Sequence, residues 1–186
     1  MSTAPPRLIV LNGPPGAGKS TIARRLIAGR PLALALEIDE LRRNLGGWKD
    51  DPYASGMRAR ALALDVARNH LAAGFDIVVP QYFGRADYLQ SLEAVAAETG
   101  ARFHEFVLLD VKDVLRDRFL ARAAAAREQA HVDALELLDR VGGVPQLEAM
   151  YDRLLLVVGA RETAQVVPAR EGREDETYEA VVSRLD

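Results

Sequence analysis

Eight consecutive residues carry the strongest chemical signal in this chain: Gly13-Pro14-Pro15-Gly16-Ala17-Gly18-Lys19-Ser20. They fit G-x-x-x-x-G-K-[ST], the pattern of a phosphate-binding loop. Glycines let the backbone turn tightly enough to aim successive N–H groups at one anion. A helix that follows adds its positive N-terminal end. Lys19 then reaches the β- and γ-phosphates of a nucleotide, and the Ser20 hydroxyl ligates Mg²⁺. With 14 Gly, 3 Lys and 10 Ser or Thr among 186 residues, chance gives roughly 0.001 matches to such a pattern. Gly13, Pro14, Pro15, Gly16, Ala17, Gly18, Lys19, Ser20 and Thr21 are therefore assigned to ATP, and Ser20 to the metal.

Binding a nucleotide leaves open what is done with it. A guanine-reading N-K-x-D occurs nowhere in the chain. The strand best placed to carry the acidic pair of a mechanical ATPase ends instead in Val79-Pro80-Gln81. Transfer of the γ-phosphate to a bound acceptor remains, and it needs a base, cations to offset charge, and a pocket that excludes water.

Asp39 is the candidate base. It lies twenty residues after Lys19, at the end of the expected second strand, and the carboxyl ends of neighbouring parallel strands share one crevice. A helix N-cap is the competing role for the same aspartate. Arg42, one turn on, would project from the same helix face and could hold a substrate anion or the transferring phosphate. Glu37 and Glu40 are weaker base candidates. A second cationic cluster, Arg116, Arg118, Arg122 and Arg127, sits in an alanine-rich stretch that suits a helical lid over about 116–132. Arg118 and Arg122 share a helix face and are its first choices, against the alternative of a solvated surface helix. Gln81, Tyr82, Phe83 and Arg85 offer an amide, two aromatic faces and a cation for an acceptor. Trp48 and Tyr53, in a polar connection, would form the opposite wall, ordinary packing being the alternative for each. Arg170 is placed against the adenine.

Positioning these residues takes an alternation of short β-like runs with longer helical ones, which favours a parallel α/β sheet. Strands are expected at Leu8–Leu11, Leu32–Ile38, Asp76–Pro80, Phe103–Leu109 and Thr163–Val167. Helices are expected over Lys19–Ala28, Asp39–Leu45, Met57–Ala73, Arg85–Thr99 and Val111–Arg127. Two more follow: Val132–Val158, interrupted at Gly142-Gly143-Val144-Pro145, and Glu174–Leu185. That is five strands and about seven helices in one domain of 1–186, with Met1 to Pro6 as a loose tail.

Composition sets the outer limits. Hydrophobic residues make up 49% and charged residues 27% of the chain, a globular balance that excludes wholesale disorder. The absence of cysteine excludes thiol chemistry, and three scattered histidines (His70, His104, His131) argue against a zinc hydrolase. The longest apolar stretch, Leu154 to Ala160, is too short to span a membrane, so the chain reads as cytoplasmic. A net charge of −3 argues against duplex nucleic acid as a partner. Only three of the 24 basic residues are lysine, and one of them is Lys19.

The span Leu8 to Leu45, with its P-loop and then Asp39-Glu40-Leu41-Arg42, resembles the small P-loop kinases that modify a hydroxyl. These include the kinase domain of polynucleotide 5′-kinases, chloramphenicol phosphotransferase and tunicamycin-resistance-type proteins. The resemblance implies a doubly wound three-layer fold of about five parallel strands with a helical lid, and Mg²⁺-ATP as donor. It also implies Asp39 as general base, Arg42 on a substrate phosphate or the transition state, and an arginine near Arg122 in the lid. Several such kinases have an aspartate at the end of the third strand, where this chain has Gln81. The leading expectation is a kinase for a small hydroxyl-bearing metabolite or antibiotic-like molecule. A nucleic-acid or nucleotide 5′-hydroxyl kinase is the alternative among enzymes, and an ATP-binding switch the alternative outside them. Oligomeric state is left open.

Overall fold

The computed structural model describes residues 4–125 and 129–185. Its centre is β1 (Arg7–Asn12), whose residues Leu8–Leu11 are wholly buried because both faces of the sheet are covered. A strand apolar on both sides needs partners on both edges. It pairs in parallel with β3 (Ile77–Pro80), Leu11 opposite Pro80, and with β4 (Arg102–Leu109), Asn12 opposite Val107. The sheet is completed by β2 (Leu34–Ala35) and β5 (Ala164–Pro168), giving the order β2-β3-β1-β4-β5.

Alternation along β1 divides the interior into two cores. Leu8 and Val10 face α2 (Ile38–Arg43), α3 (Pro52–Ala72) and α4 (Ala86–Thr99). Ile9 and Leu11 face α1 (Lys19–Ala28), the start of α5 (Lys112–Ala125) and α8 (Glu174–Val182). A satellite cluster of Phe119, Leu138 and Leu147 joins α5 to α6 (Gln129–Arg140) and α7 (Gly143–Gly159). These three helices form an arch, and the expected lid, about 116–132, falls on α5 and the start of α6. Residues 126–128, Arg127 among them, lie outside the described residues.

Several boundaries differ from the sequence expectation, each for a local reason. The expected strand Leu32–Ile38 shrinks to Leu34–Ala35. Leu32 sits in a turn at φ 58° and is exposed, while Ile38 already begins α2. Glu37, not Asp39, is therefore the N-cap position of α2, and Asp39 lies in its first turn. Helix α3 begins at Pro52 rather than Met57, because the Asp51 carboxylate accepts the Ala54 N–H at 2.9 Å and Pro52 suits the first helical position. Tyr53 thus belongs to a helix and not to a connection. Pro145 falls in the first turn of α7, where its missing N–H is not needed. Eight helices result among the described residues. At the N-terminal end, the Pro6 carbonyl accepts the Arg102 N–H at 2.8 Å. No helix is long and apolar enough to cross a membrane among the described residues.

Candidate active site

The loop from Asn12 to Ser20 leaves the carboxyl end of the central strand and feeds directly into α1. Its glycines answer real constraints. Gly16 has φ 90°, and a Cβ there would stand 2.5 Å from the Leu115 carbonyl. Gly13 has φ 152°, with a Cβ 2.6 Å from the Leu108 carbonyl. The loop is therefore seated against β4 and α5 as closely as backbone can approach backbone. Pro14 and Pro15 have no N–H and cannot donate to a phosphate. They pack beside Leu115, Leu147 and Tyr151, leaving the N–H groups from Gly16 onward as the anion cradle.

Asn12 is the residue that sequence reasoning missed here. Wholly buried, its Oδ1 accepts the N–H groups of Gly13 and Phe83, both at 2.8 Å, and its Nδ2 donates to the Phe83 carbonyl at 3.2 Å. One side chain so ties the phosphate loop to the segment after β3. Only the parallel pairing of β1 and β3 brings those two loops together, so composition alone held no sign of it.

Lys19 donates to the Gly13 and Pro14 carbonyls, both at 2.9 Å. Desolvation pulls its pKa down to about 8, against the opposing pull of Asp39; the Arg122 charge lowers it further and Glu37 raises it. Those four side chains therefore converge on one place at the carboxyl edge of the sheet. Ser20 donates its hydroxyl to Glu37 Oε2 at 3.2 Å, and Arg24 stands 3.8 Å from the same carboxylate. Burial, with the neighbouring Glu40 charge, raises the Glu37 pKa. Glu37, a weaker base candidate from the sequence, thus engages the P-loop serine. Its place two residues before Asp39, at the N-cap position of α2, sets its carboxylate beside the Ser20 hydroxyl.

Arg42 is held in place by protein groups. Its Nε donates to Ser55 Oγ at 3.2 Å and its Nη2 to the Pro52 carbonyl at 2.8 Å, with the Trp48 ring 5.6 Å from the guanidinium carbon. Desolvation lowers its pKa, which Asp39 partly restores. Trp48 is flanked on the other count by Lys49 at 5.3 Å.

The expected lid arginines divide. Arg116 is consumed by Asp113, Asp117 and Glu148. Arg118, with its side chain only 9% exposed, uses each of its three guanidinium nitrogens once, on Asp110 at 2.8 Å, the Ala169 carbonyl at 2.8 Å and Glu171 at 3.3 Å. It lines the cleft beside the phosphate loop. Arg122 is exposed and has no carboxylate within 4 Å among the described residues. Gly16, Ala17, Gly18, Arg118, Arg122 and Arg170 line one cleft beside the phosphate loop, together with Glu174 and Thr177.

On the other side of the crevice, Gln81 is half-buried and its N–H bonds the Leu11 carbonyl at 3.1 Å. Tyr82 spends its hydroxyl on the Met150 carbonyl of α7 at 3.0 Å. Arg85 is exposed and pairs with Asp87, and Tyr53 is 79% exposed on the outside of α3. Neither is drawn toward Asp39 by any contact. No group of three or more acidic or histidine side chains could hold a metal by itself among the described residues.

A five-stranded parallel sheet with a phosphate-binding loop leaving its central strand defines a P-loop kinase-like fold. Within that class, the chain belongs to the AAA-domain family, whose model matches residues 8–141. Solved structures repeat the same architecture. A candidate kinase from Chloroflexus aurantiacus is 20% identical with a TM-score of 0.69, covering 99% of this chain and 98% of that one. The tunicamycin resistance protein of Deinococcus radiodurans is 21% identical with a TM-score of 0.61, covering 97% of this chain and 95% of that one. A chain of the Pnkp1/Rnl/Hen1 RNA repair complex is 17% identical with a TM-score of 0.66, covering 87% of this chain but 48% of that one. Identities of this size speak for a shared fold. Among curated proteins, none is significantly similar to this chain in sequence.

Proposed function

We propose that this chain is an ATP-dependent phosphotransferase that moves the γ-phosphoryl group to a hydroxyl of a small acceptor, with Asp39 as general base. One observation carries the reading. Asp39 and Arg122, from α2 and α5, both act electrostatically on the P-loop lysine, so a base, a donor-side cation and a lid cation share one crevice.

The chemistry follows from those positions. The Gly16–Ser20 N–H groups and the end of α1 hold the phosphate tail, and Lys19 leaves its loop carbonyls to meet the β- and γ-phosphates. Asp39 takes the acceptor's proton as its oxygen bonds to the γ-phosphorus, and the bond to the bridging oxygen of ADP breaks. Arg122 and Lys19 offset the charge spreading over the transferring group. Arg118 fixes the wall against which the nucleotide lies, and Arg170 flanks the adenine.

The oxygens of Ser20 and Glu37, 3.2 Å apart, fit Mg²⁺, a hard cation that takes oxygen ligands and keeps several waters. Ser20 would ligate it and Glu37 would hold its water shell. Bound there, it would neutralise charge on the β- and γ-phosphates. Glu37 then supplies what the carboxylate-free end of β3, Pro80-Gln81, does not.

A panel of metabolite alcohols, antibiotics and 5′-hydroxyl oligonucleotides, scored by ADP release, tests the reading. Acceptor-dependent ADP formation that disappears in Asp39→Asn supports it. Tight ATP binding with no acceptor stimulating turnover would leave a nucleotide-dependent switch in its place.

A further inference from the structure

Asn12 stands wholly buried at the end of β1, and both polar atoms of its amide are engaged. Its Oδ1 is shared by two N–H groups, those of Gly13 and Phe83, each at 2.8 Å. A carboxamide oxygen has two lone pairs, so these two donors fill it. The Phe83 carbonyl takes an Nδ2 hydrogen at 3.2 Å, which fixes the orientation of the amide. One of the two donors belongs to the phosphate loop, the other to the segment after β3. An apolar side chain at position 12 would leave three buried backbone groups unpaired.

Each donor sits on a residue with further ties. Gly13 is pinned at both of its polar groups, its N–H on Asn12 and its carbonyl on Lys19 Nζ at 2.9 Å. Phe83 is 3% exposed and stacks on Tyr88, with ring centroids 5.3 Å apart. Residues 81–84 are held along their whole length. The Gln81 N–H bonds the Leu11 carbonyl at 3.1 Å, and the Tyr82 hydroxyl reaches the Met150 carbonyl of α7 at 3.0 Å. Tyr82 folds back over Gly84, where a Cβ would collide with that hydroxyl. The main chain of this segment therefore hangs from Leu11 and Asn12, the last two residues of the strand that launches the phosphate loop.

We propose that Asn12 is a positioning residue that couples the two sides of the crevice, so that filling the phosphate loop sets the backbone of residues 81–84. This rests on the phosphotransfer reading and adds an order of events to it, nucleotide before acceptor. The two-state element is Lys19, which sits either on the Gly13 and Pro14 carbonyls or on phosphates. While Lys19 holds the Gly13 carbonyl, the Gly13 N–H stays on Oδ1 and Phe83 has only a share of that oxygen. Phosphates draw Lys19 away, Gly13 turns its N–H toward the anion, and Phe83 takes Oδ1 alone. The Phe83 bond tightens, and Gln81 and Tyr82 are fixed against the acceptor. By reciprocity, a bound acceptor strengthens nucleotide binding by the same factor.

The probe is a non-hydrolysable ATP analogue with Mg²⁺, and the readout is hydrogen exchange at the Phe83 amide, followed by NMR. Saturating analogue should slow that exchange at least threefold in the wild-type protein. Asn12→Ala should erase the difference while the analogue still binds by calorimetry. Lys19→Met, which has no ammonium to hold the Gly13 carbonyl, should show the slow exchange without nucleotide. That arm decides the matter even where circular dichroism and melting show Asn12→Ala to be unfolded. A Phe83 amide indifferent to the analogue, slowed equally in Asn12→Ala, or fast in nucleotide-free Lys19→Met overturns the proposal and leaves phosphotransfer standing. With an acceptor from the panel above, Asn12→Ala should raise the acceptor KM at least tenfold and the ATP KM much less; the reverse split also overturns it. A panel without any acceptor overturns the phosphotransfer reading instead, and the exchange arm still decides whether Asn12 relays nucleotide binding. Failure of the analogue to bind would overturn both.

Discussion

The proposed donor side and the proposed acceptor side of this crevice are built from different material. The donor side is one contiguous stretch, Asn12 to Thr21, whose shape is dictated by glycines at φ 152°, 90° and 81° and by a helix that starts at Lys19. The acceptor side is assembled from pieces far apart in the chain. Arg42 comes from α2, its anchors from α3, Tyr82 from the loop after β3 and Tyr82's anchor from α7. Even the connection holding Trp48 is clasped to the arch, with Lys49 bonded to Asp133 at 2.8 Å and Glu136 at 2.7 Å. A contiguous site tolerates no change of backbone; a composite one can be retuned one side chain at a time.

That contrast can be broken by mutation. The largest effect belongs to the residue where the two sides meet. Asp39→Asn should lower kcat by roughly 10²–10⁴-fold, the usual contribution of a general base, with ATP affinity intact by calorimetry. On the donor side, Gly16→Ala should abolish measurable nucleotide binding. Its Cβ would meet the Leu115 carbonyl at 2.5 Å at a φ of 90°, and such overpacking costs about 1–3 kcal/mol of stability, readable in a denaturant titration.

A smaller effect is set by pH. The folded pKa of Lys19, about 8, lies below the 10.5 of a free lysine. Between those values the unfolded chain binds more protons than the folded one, so the empty protein should gain stability as pH rises from 8 to 10.5. Phosphate favours the charged ammonium, so binding takes up a proton above pH 8. ATP affinity should fall by up to tenfold per pH unit there, and Lys19→Met should flatten that slope. The smallest effect belongs to the acceptor side. Lys49→Ala should leave nucleotide affinity unchanged, raise the acceptor KM modestly and lower the melting temperature slightly. High salt should shrink that difference, because the Lys49 pair is partly exposed.

The same contrast explains what could be read from the amino-acid sequence. The phosphate loop and the doubly wound sheet were legible because both depend on local pattern: a buried run, a glycine loop, an amphipathic helix. Position 39 was legible as a chemical candidate through its spacing from Lys19, although Glu37 proved to hold the cap position. The second strand was overextended because Leu-Ala-Leu-Ala-Leu alternates well, while pairing with β3 begins only where Leu34 meets Ile77. The start of α3 is encoded in Asp51-Pro52, five residues ahead of the expected Met57. Asn12 could not be read at all, and Glu37 only as a weaker base candidate. Their roles depend on which strands are neighbours and which helix face meets which, and no spacing along the chain encodes that.

The central claim is that Asp39 activates an acceptor opposite the γ-phosphate, and a crystal structure with Mg²⁺ and a non-hydrolysable ATP analogue tests it most directly. The account predicts Lys19 withdrawn from the Gly13 and Pro14 carbonyls onto the phosphates. It also predicts an Asp39 carboxylate placed so that one alcohol oxygen fits, at hydrogen-bond distance, between it and the γ-phosphorus, in line with the bridging oxygen. An Asp39 turned away from that line, with another side chain or the protein surface closing it, would contradict the account.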